Sequence, residues 1–149
     1  MELYEKVLAI YKKVVGEQHL NVASVYYHIG VVLQAQGEVD QAMESLEQAL
    51  AIRKAALGEQ HIDVAAIYFD MGVALYTQGE LGRAMELYEK VLAIYKKVVG
   101  EQHLNVASVY YHIGVVLQAQ GEVDQAMESL EQALAIRKAA LGEQHIDVA

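Results

Sequence analysis

Six histidines are the residues of this chain best suited to acid–base chemistry or metal binding. Four of them share one loop position that recurs every 42 residues: His19, His61, His103 and His145. A recurrent loop histidine of this kind predicts a structural cap for the helix that follows it. The other two, His28 and His112, stand 84 positions apart. At about 10 Å per packed helix layer, that separation is too large for joint binding of one metal ion.

Other residue types offer no catalytic pattern. The sequence has no cysteine, which excludes thiolate chemistry and cysteine-ligated zinc. It has no glycine-rich phosphate loop, no HExxH pair and no nucleophile elbow. The repeated acids at Glu44, Glu47, Glu86 and Glu89 are spaced as a solvated helix face. The sequence therefore predicts no metal site, no cofactor and no enzymatic activity.

The elements that position these residues are internal repeats. Residues 1–65 recur letter for letter as residues 85–149, and each 84-residue unit divides into two diverged halves of 42 residues. When residues 1–42 are aligned with residues 43–84, half of the positions are identical. A period of this length predicts units that contact mainly their neighbours, so that the core extends along an axis.

Each unit is predicted to contain two helices. The segment Asn21–Gln36 carries Val22, Ile29 and Leu33 on one helical face, with Asn21 as its expected N-cap. The second helix is expected over Val39–Leu57, and glycines follow both helices. The predicted organisation is a single array over residues 1–149: residues 1–15 as the second helix of a partial repeat, residues 16–57, 58–99 and 100–141 as full helix pairs, and residues 142–149 as the start of a truncated repeat.

Composition limits the possible partners. The chain is 54% hydrophobic and has no proline, so a continuous helical core can form. Its net charge of −9 disfavours binding to the phosphate backbone of nucleic acids, and no apolar run is long enough for a signal peptide or a membrane span. We expect neither nucleic acid nor membrane as a partner. The absence of cysteine is compatible with a cytoplasmic location, although it fits other compartments equally well.

These repeats resemble tetratricopeptide-like repeats of the 42-residue form found in kinesin light chains. The resemblance covers almost the whole chain and rests on a recurrent series of residues. In the second full repeat the series is Tyr68, Met71, Gly72, Leu75, Gly79, Ala84 and Tyr88. The resemblance implies an all-α fold, a right-handed superhelical solenoid of antiparallel helix pairs. It also implies that Gly30, Gly72 and Gly114 lie within helices, where close approach of a neighbouring helix would offset their poor helix propensity.

The resemblance also implies a binding surface. In this family the first helix of each pair lines the concave side, and we call the corresponding residues the first-helix face. They are Ser24, Tyr27, His28, Val31, Gln34, Ala66, Phe69, Asp70, Val73, Tyr76, Ser108, Tyr111, His112, Val115 and Gln118. The set contains neither lysine nor asparagine, so a clamp for a peptide's terminal carboxylate is not expected. We predict an aromatic and polar surface that binds a peptide or protein segment, unless these side chains only fill the space between neighbouring first helices.

Three classes of function remain at this point. The leading one is an interaction scaffold, and the alternative is a self-associating or engineered structural solenoid without a dedicated ligand. An enzyme is a distant third. Neither end of the chain coincides with a complete repeat and neither has a polar capping repeat, which predicts head-to-tail association unless the sequence is a window of a longer array.

Overall fold

The computed structural model describes residues 2–16 and 19–142, which form an all-α solenoid of seven helices with no strand in that part of the chain. In chain order the helices are α1 (Glu2–Val15), α2 (Leu20–Ala35), α3 (Val39–Leu57), α4 (Ile62–Thr77), α5 (Leu81–Val99), α6 (Leu104–Ala119) and α7 (Val123–Leu141). The first helices of the pairs are α2, α4 and α6, and the second helices are α1, α3, α5 and α7. None of the described helices is long and apolar enough to cross a membrane.

The N-terminal caps of the first helices differ from the sequence prediction. We expected Asn21 as the N-cap, but α2 begins at Leu20 and its N-cap is His19. The His19 Nδ1 atom accepts a hydrogen bond from the Asn21 backbone N–H at 2.9 Å. His61 and His103 cap α4 and α6 in the same way. The capping role of these loop histidines is confirmed, and His145 lies outside the described residues.

Glycines end the helices because their backbone turns through positive φ. Gly37, Gly79 and Gly121 have φ of 84°, 82° and 83° after the first helices. The Glu38 backbone N–H then donates to the Leu33 carbonyl, which satisfies one of the free carbonyls at the end of α2. Residues with a Cβ rarely adopt this conformation, so these positions define the tight turn from first to second helix.

The core lies between each first helix and the second helices on both sides of it. Packing links α4 to α3 on one side and to α5 on the other. The mid-helix glycines permit this approach, as predicted. A Cβ at Gly72 would lie 2.7 Å from the Tyr88 ring, and one at Gly30 would lie 2.8 Å from the Leu46 side chain. The core positions repeat with the sequence, so that Val22, Val64 and Val106 are all fully buried.

Candidate functional site

The residues of the first-helix face lie on α2, α4 and α6, five on each helix. None of the fifteen is buried: each is half-buried or exposed. The most exposed apolar and aromatic members are Tyr111 at 45%, Val31 at 40% and Tyr76 at 37%. The first-helix face therefore exposes aromatic side chains at the surface. Its two helix junctions, between α2 and α4 and between α4 and α6, differ in structure.

The junction between α2 and α4 is closed by a hydrogen bond. The Tyr27 hydroxyl donates to Asp70 Oδ2 at 2.5 Å. Burial, together with the hydrogen bond and the charge of Asp70, raises the pKa of Tyr27 above its ordinary value. Burial also raises the pKa of Asp70, against the opposite effect of the hydrogen bond from Tyr27. Tyr27 therefore fits the alternative interpretation, in which these side chains only fill the space between neighbouring first helices.

The rings around this junction extend the closed surface. His28 stacks on Tyr4 of α1, with ring centroids 6.1 Å apart and planes 21° apart. The Arg53 guanidinium carbon lies 5.0 Å from the centroid of the Tyr27 ring, within the range of a cation–π contact. Arg137 occupies the same position relative to Tyr111, at 6.0 Å. The sequence predicted an aromatic and polar surface here, and it gave no indication that these two arginines lie beside it.

The junction between α4 and α6 keeps an open cavity. Phe69 stands where Tyr27 stands one repeat earlier and has no hydroxyl, and His112 stands where Asp70 does. The Phe69 and His112 rings meet edge to face at 4.7 Å between centroids. The His112 Nδ1–H donates to the Ser108 carbonyl at 2.8 Å, which fixes the ring along its own helix. No hydrogen bond joins α4 to α6 at this point among the described residues.

The cavity has a volume of about 320 Å³ and opens on the first-helix face. Its lining is mostly apolar and aromatic, with hydroxyls and one imidazole: Val73, Tyr76, Thr77, Tyr88, Tyr111, His112, Val115 and Val116. Five of these eight residues belong to the predicted face. Tyr88 does not, because it lies on the second helix α5 and reaches the cavity past Gly72. Burial raises the pKa of its hydroxyl above the ordinary tyrosine value.

The cavity can hold an apolar side chain of a partner, and the hydroxyls and the imidazole in its lining can form hydrogen bonds with polar groups next to that side chain. Ligand pockets typically measure about 300–1,000 Å³, so this one lies at the small end and suits a side chain. The described residues 2–16 and 19–142 contain no group of three or more His, Asp or Glu side chains that could hold a metal ion.

A recurrent contact between lysine and tyrosine was missed in the sequence. Lys12 lies 5.2 Å from the Tyr26 ring centroid, and Lys96 lies 5.3 Å from that of Tyr110. Lys54 lies 6.0 Å from Tyr68 in the intervening repeat. In each case a lysine near the end of a second helix covers a tyrosine of the next first helix. The signal was present in the sequence, because both residues recur in three successive copies at a constant separation of 14 positions.

Comparisons with known proteins agree with this architecture. A family model described as tetratricopeptide repeat matches residues 2–55, 22–97 and 86–139. No curated protein sequence matches the chain. Among solved structures, BtubC (BKLC) from P. vanneervenii is similar with a TM-score of 0.87 and 26% identity, over 95% of this chain and 56% of that one.

Two further structures are similar. A putative kinesin light chain from Podospora anserina with nearly identical TPR-like repeats has a TM-score of 0.74 and 31% identity, over 93% of this chain and 66% of that one. MamA, at 20% identity and a TM-score of 0.65 over 94% of this chain and 80% of that one, shares the fold. The chain spans 56% and 66% of the length of the first two. Because the family model covers most of the sequence in three overlapping matches, the chain belongs to the tetratricopeptide repeat family, whose members generally mediate protein–protein interactions.

Proposed function

We propose that this chain is an interaction scaffold that binds a peptide or protein segment on its first-helix face. The observation that carries the proposal is the cavity between α4 and α6, flanked by the exposed rings of Tyr76 and Tyr111. Tyrosine supplies a large contact area at a low cost in side-chain entropy, and it is enriched at interaction hot spots. An apolar side chain of the partner would enter the cavity, and the two tyrosine hydroxyls would bind its backbone.

The two junctions have different roles in this proposal. The Tyr27 hydroxyl is already bonded to Asp70, so the surface between α2 and α4 supplies a firm platform. The surface between α4 and α6 supplies the specific recognition, because its polar groups face the cavity. Arg137 beside Tyr111 adds a cation at the rim.

The test is selection of binders from a displayed library of random peptides on the immobilised 149-residue chain. Selected peptides are then measured by fluorescence anisotropy against the Tyr76→Ala/Tyr111→Ala variant. We expect the double variant to lose at least about tenfold in affinity, since each truncated hot-spot tyrosine costs more than about 1 kcal/mol. Circular dichroism must show unchanged helicity.

Tyr110→Ala is the matched control for this experiment. Tyr110 is the neighbour of Tyr111 on α6, but its ring lies under Lys96 and does not line the cavity. Selected peptides should bind the control as tightly as the parent. Equal affinity for the parent and the double variant, or loss of binding in the control alone, would refute the assignment of the cavity.

The alternative function, a self-associating structural solenoid, is favoured by a separate observation. Apolar side chains are exposed on the outermost described helices, including Leu3 at 72% and Ile10 at 60% on α1 and Val123 at 60% on α7. Sedimentation velocity over a wide concentration range tests it. Elongated species that grow with concentration would support head-to-tail association, whereas a constant sedimentation coefficient would contradict it.

A further inference from the structure

His112 uses one of its two ring nitrogens in a hydrogen bond within its own helix. Its Nδ1 atom lies 2.8 Å from the Ser108 carbonyl oxygen. A carbonyl oxygen can only accept a hydrogen bond, so Nδ1 carries the proton. In the neutral side chain Nε2 then has no proton and is a hydrogen-bond acceptor. The contact with Ser108 therefore determines the tautomer of neutral His112.

The second ring nitrogen of His112 has no partner in the protein. Within residues 2–16 and 19–142, no hydrogen bond to Nε2 is present. Every buried nitrogen or oxygen atom of a side chain in these ranges has a partner, so the unpartnered Nε2 is accessible. His112 lines the cavity between α4 and α6. Since Nδ1 is bonded to Ser108, Nε2 is the polar atom that His112 can offer to a ligand in this cavity.

Three aromatic rings hold the imidazole of His112 in place. The centroid of its ring lies 4.7 Å from that of Phe69 on α4 and 5.7 Å from that of Tyr88 on α5. Tyr111, its neighbour on α6, lies 5.4 Å away. These contacts and the bond to Ser108 fix the direction of Nε2 before a ligand binds. A preorganised acceptor loses little conformational entropy on binding.

The other polar side chains of the lining do not discriminate between ligands in the same way. They are the hydroxyls of Tyr76, Thr77, Tyr88 and Tyr111, and a hydroxyl can both donate and accept. Nε2 of neutral His112 can only accept. A ligand group without a donor would bury Nε2 without a partner, which is unfavourable. The lining also contains no carboxylate that could compensate for the burial of a cation.

We propose that His112 makes the cavity selective for a neutral group that combines an apolar body with an N–H or O–H donor. The donor binds Nε2, and the apolar body contacts Val73, Val115 and the surrounding rings. This inference rests on the proposed function and deepens it by naming the chemistry of the group that enters the cavity. A purely apolar side chain would fill the same volume of about 320 Å³ but would leave the acceptor unpaired.

Phenol and fluorobenzene are the probes, because they are similar in size and shape and only phenol has a donor. Each is titrated into the 149-residue chain labelled with nitrogen-15, and the amide chemical shifts of the cavity residues report binding. A cavity without an accessible acceptor would prefer fluorobenzene, since burial of an unpaired hydroxyl is costly. We expect phenol to bind at least about fivefold more tightly. Equal affinities, a preference for fluorobenzene, or no binding of either probe overturns the proposal.

Two variants assign the preference to one residue. His112→Phe keeps an aromatic ring but removes both nitrogens, so fluorobenzene should now bind more tightly than phenol. His28→Phe is the matched control: it makes the same change at the identical position of α2, where His28 stacks on Tyr4 and does not line the cavity. It should retain the preference for phenol. An unchanged preference in His112→Phe would assign the selectivity to the hydroxyls and overturn the proposal.

The side-chain nitrogen signals of His112 provide a test that does not depend on the folding of a variant. Nitrogen-15 chemical shifts distinguish a protonated ring nitrogen from an unprotonated one. At mildly alkaline pH, at which histidine is ordinarily neutral, the parent should carry the proton on Nδ1. Phenol should shift the Nε2 signal, whereas fluorobenzene should not. A proton on Nε2, or the same response to both probes, overturns the proposal.

The proposed function is tested separately by peptide selection with the Tyr76→Ala/Tyr111→Ala variant. Selected peptides that require the two tyrosines, together with probes that show no preference for phenol, would leave peptide binding in place and overturn the selectivity of His112. A preference for phenol that is lost in His112→Phe, without any selected peptide, would support the selectivity and count against the scaffold function.

Discussion

Replacement of Gly72 by alanine tests the packing that frames the cavity. A Cβ at this position would lie 2.7 Å from Tyr88 Cε1 and 3.0 Å from Cδ1. Favourable contacts between carbon atoms have separations of about 3.5–4.0 Å, so the ring or α4 must move by roughly 0.8 Å. Tyr88 is 1% exposed, and its ring packs against Phe69 and His112. The ring can therefore move only by displacing these neighbours or by entering the cavity between α4 and α6.

Two opposing terms determine the size of the effect. Alanine is favoured over glycine by about 1 kcal/mol inside a helix. Overpacking a well-filled core costs typically about 1–3 kcal/mol. The 2.7 Å separation and the contacts of the Tyr88 ring with Phe69 and His112 favour the upper part of that range. We therefore expect Gly72→Ala to lower the free energy of unfolding by about 1–2 kcal/mol, with a loss of roughly 2–8 °C in Tm for a chain of this size.

Gly82→Ala is the matched control, because Gly82 is also helical and its Cβ would meet no atom within 4 Å. It should gain up to about 1 kcal/mol from helix propensity alone. Urea unfolding followed by far-UV circular dichroism measures both variants under the same conditions. If Gly72→Ala is as stable as the parent or more stable, the close contact with Tyr88 is not a constraint and the reasoning is refuted.

Three further predictions concern the junction between α2 and α4 and a helix cap. Tyr27→Phe should cost about 1–3 kcal/mol in urea unfolding, because it leaves the Asp70 carboxylate without its hydroxyl donor. Tyr111→Phe should be nearly neutral, since no hydrogen bond from its hydroxyl is present among the described residues; equal losses in the two variants would contradict the asymmetry. Asp70→Asn should remove part of the pH dependence of stability. Burial raises the folded-state pKa of Asp70 above its ordinary value of 3.8, so the folded state binds the proton more tightly than the unfolded state does. The contribution of Asp70 to stability therefore falls as the pH rises from the unfolded-state pKa through the folded-state pKa. The Tm of the parent should then fall relative to that of Asp70→Asn as the pH is raised from acidic to alkaline values. A difference in Tm that does not change with pH would contradict the raised pKa of Asp70. His61→Ala should cost about 1 kcal/mol by removing the N-cap of α4, whereas His61→Asn should retain most of that stability; thermal unfolding distinguishes them, and equal losses would exclude a capping role.

The helical architecture could be predicted because its determinants are local. The second helix over Val39–Leu57 has the predicted limits, and the first helix over Leu20–Ala35 differs from prediction by one residue at each end. Periodic apolar residues and positive-φ glycines determine such limits without knowledge of neighbouring units. The close helix contact at Gly72 was also predictable. A glycine in the middle of a helix lowers helix stability relative to alanine, and tight packing against a neighbouring helix can compensate for that loss.

The N-cap was misassigned for a chemical reason. Asparagine is a preferred capping residue, and Asn21 stands next to the first apolar residue of the pattern. The Nδ1 atom of His19 is separated from its Cα by the same number of bonds as the side-chain oxygen of asparagine. It can therefore accept the same hydrogen bond from two residues further along, and it does so from the Asn21 N–H.

The difference between the two junctions could not be predicted from the pattern of either helix alone. It depends on which side chains of successive first helices meet, and this is determined by the relative positions of the helices. Tyr27 meets Asp70 across one junction, and Phe69 meets His112 across the next. Each pair combines residues 43 positions apart, a separation at which no helical or strand periodicity gives information.

The difference between the two junctions follows from the divergence of the two halves within the 84-residue repeat. A 42-residue repeat without divergence would place the same pair of residues at each junction between first helices. All junctions would then be alike, either all hydrogen-bonded or all open. Because the two halves differ at the positions of Tyr27 and His28, the junction between α2 and α4 is hydrogen-bonded and the junction between α4 and α6 is open. A hydrogen bond between first helices fixes their spacing on one side of α4, while the cavity on its other side remains available for a ligand. If the proposed binding at the cavity is correct, the divergence of the two halves separates structural support from recognition within one repeated fold.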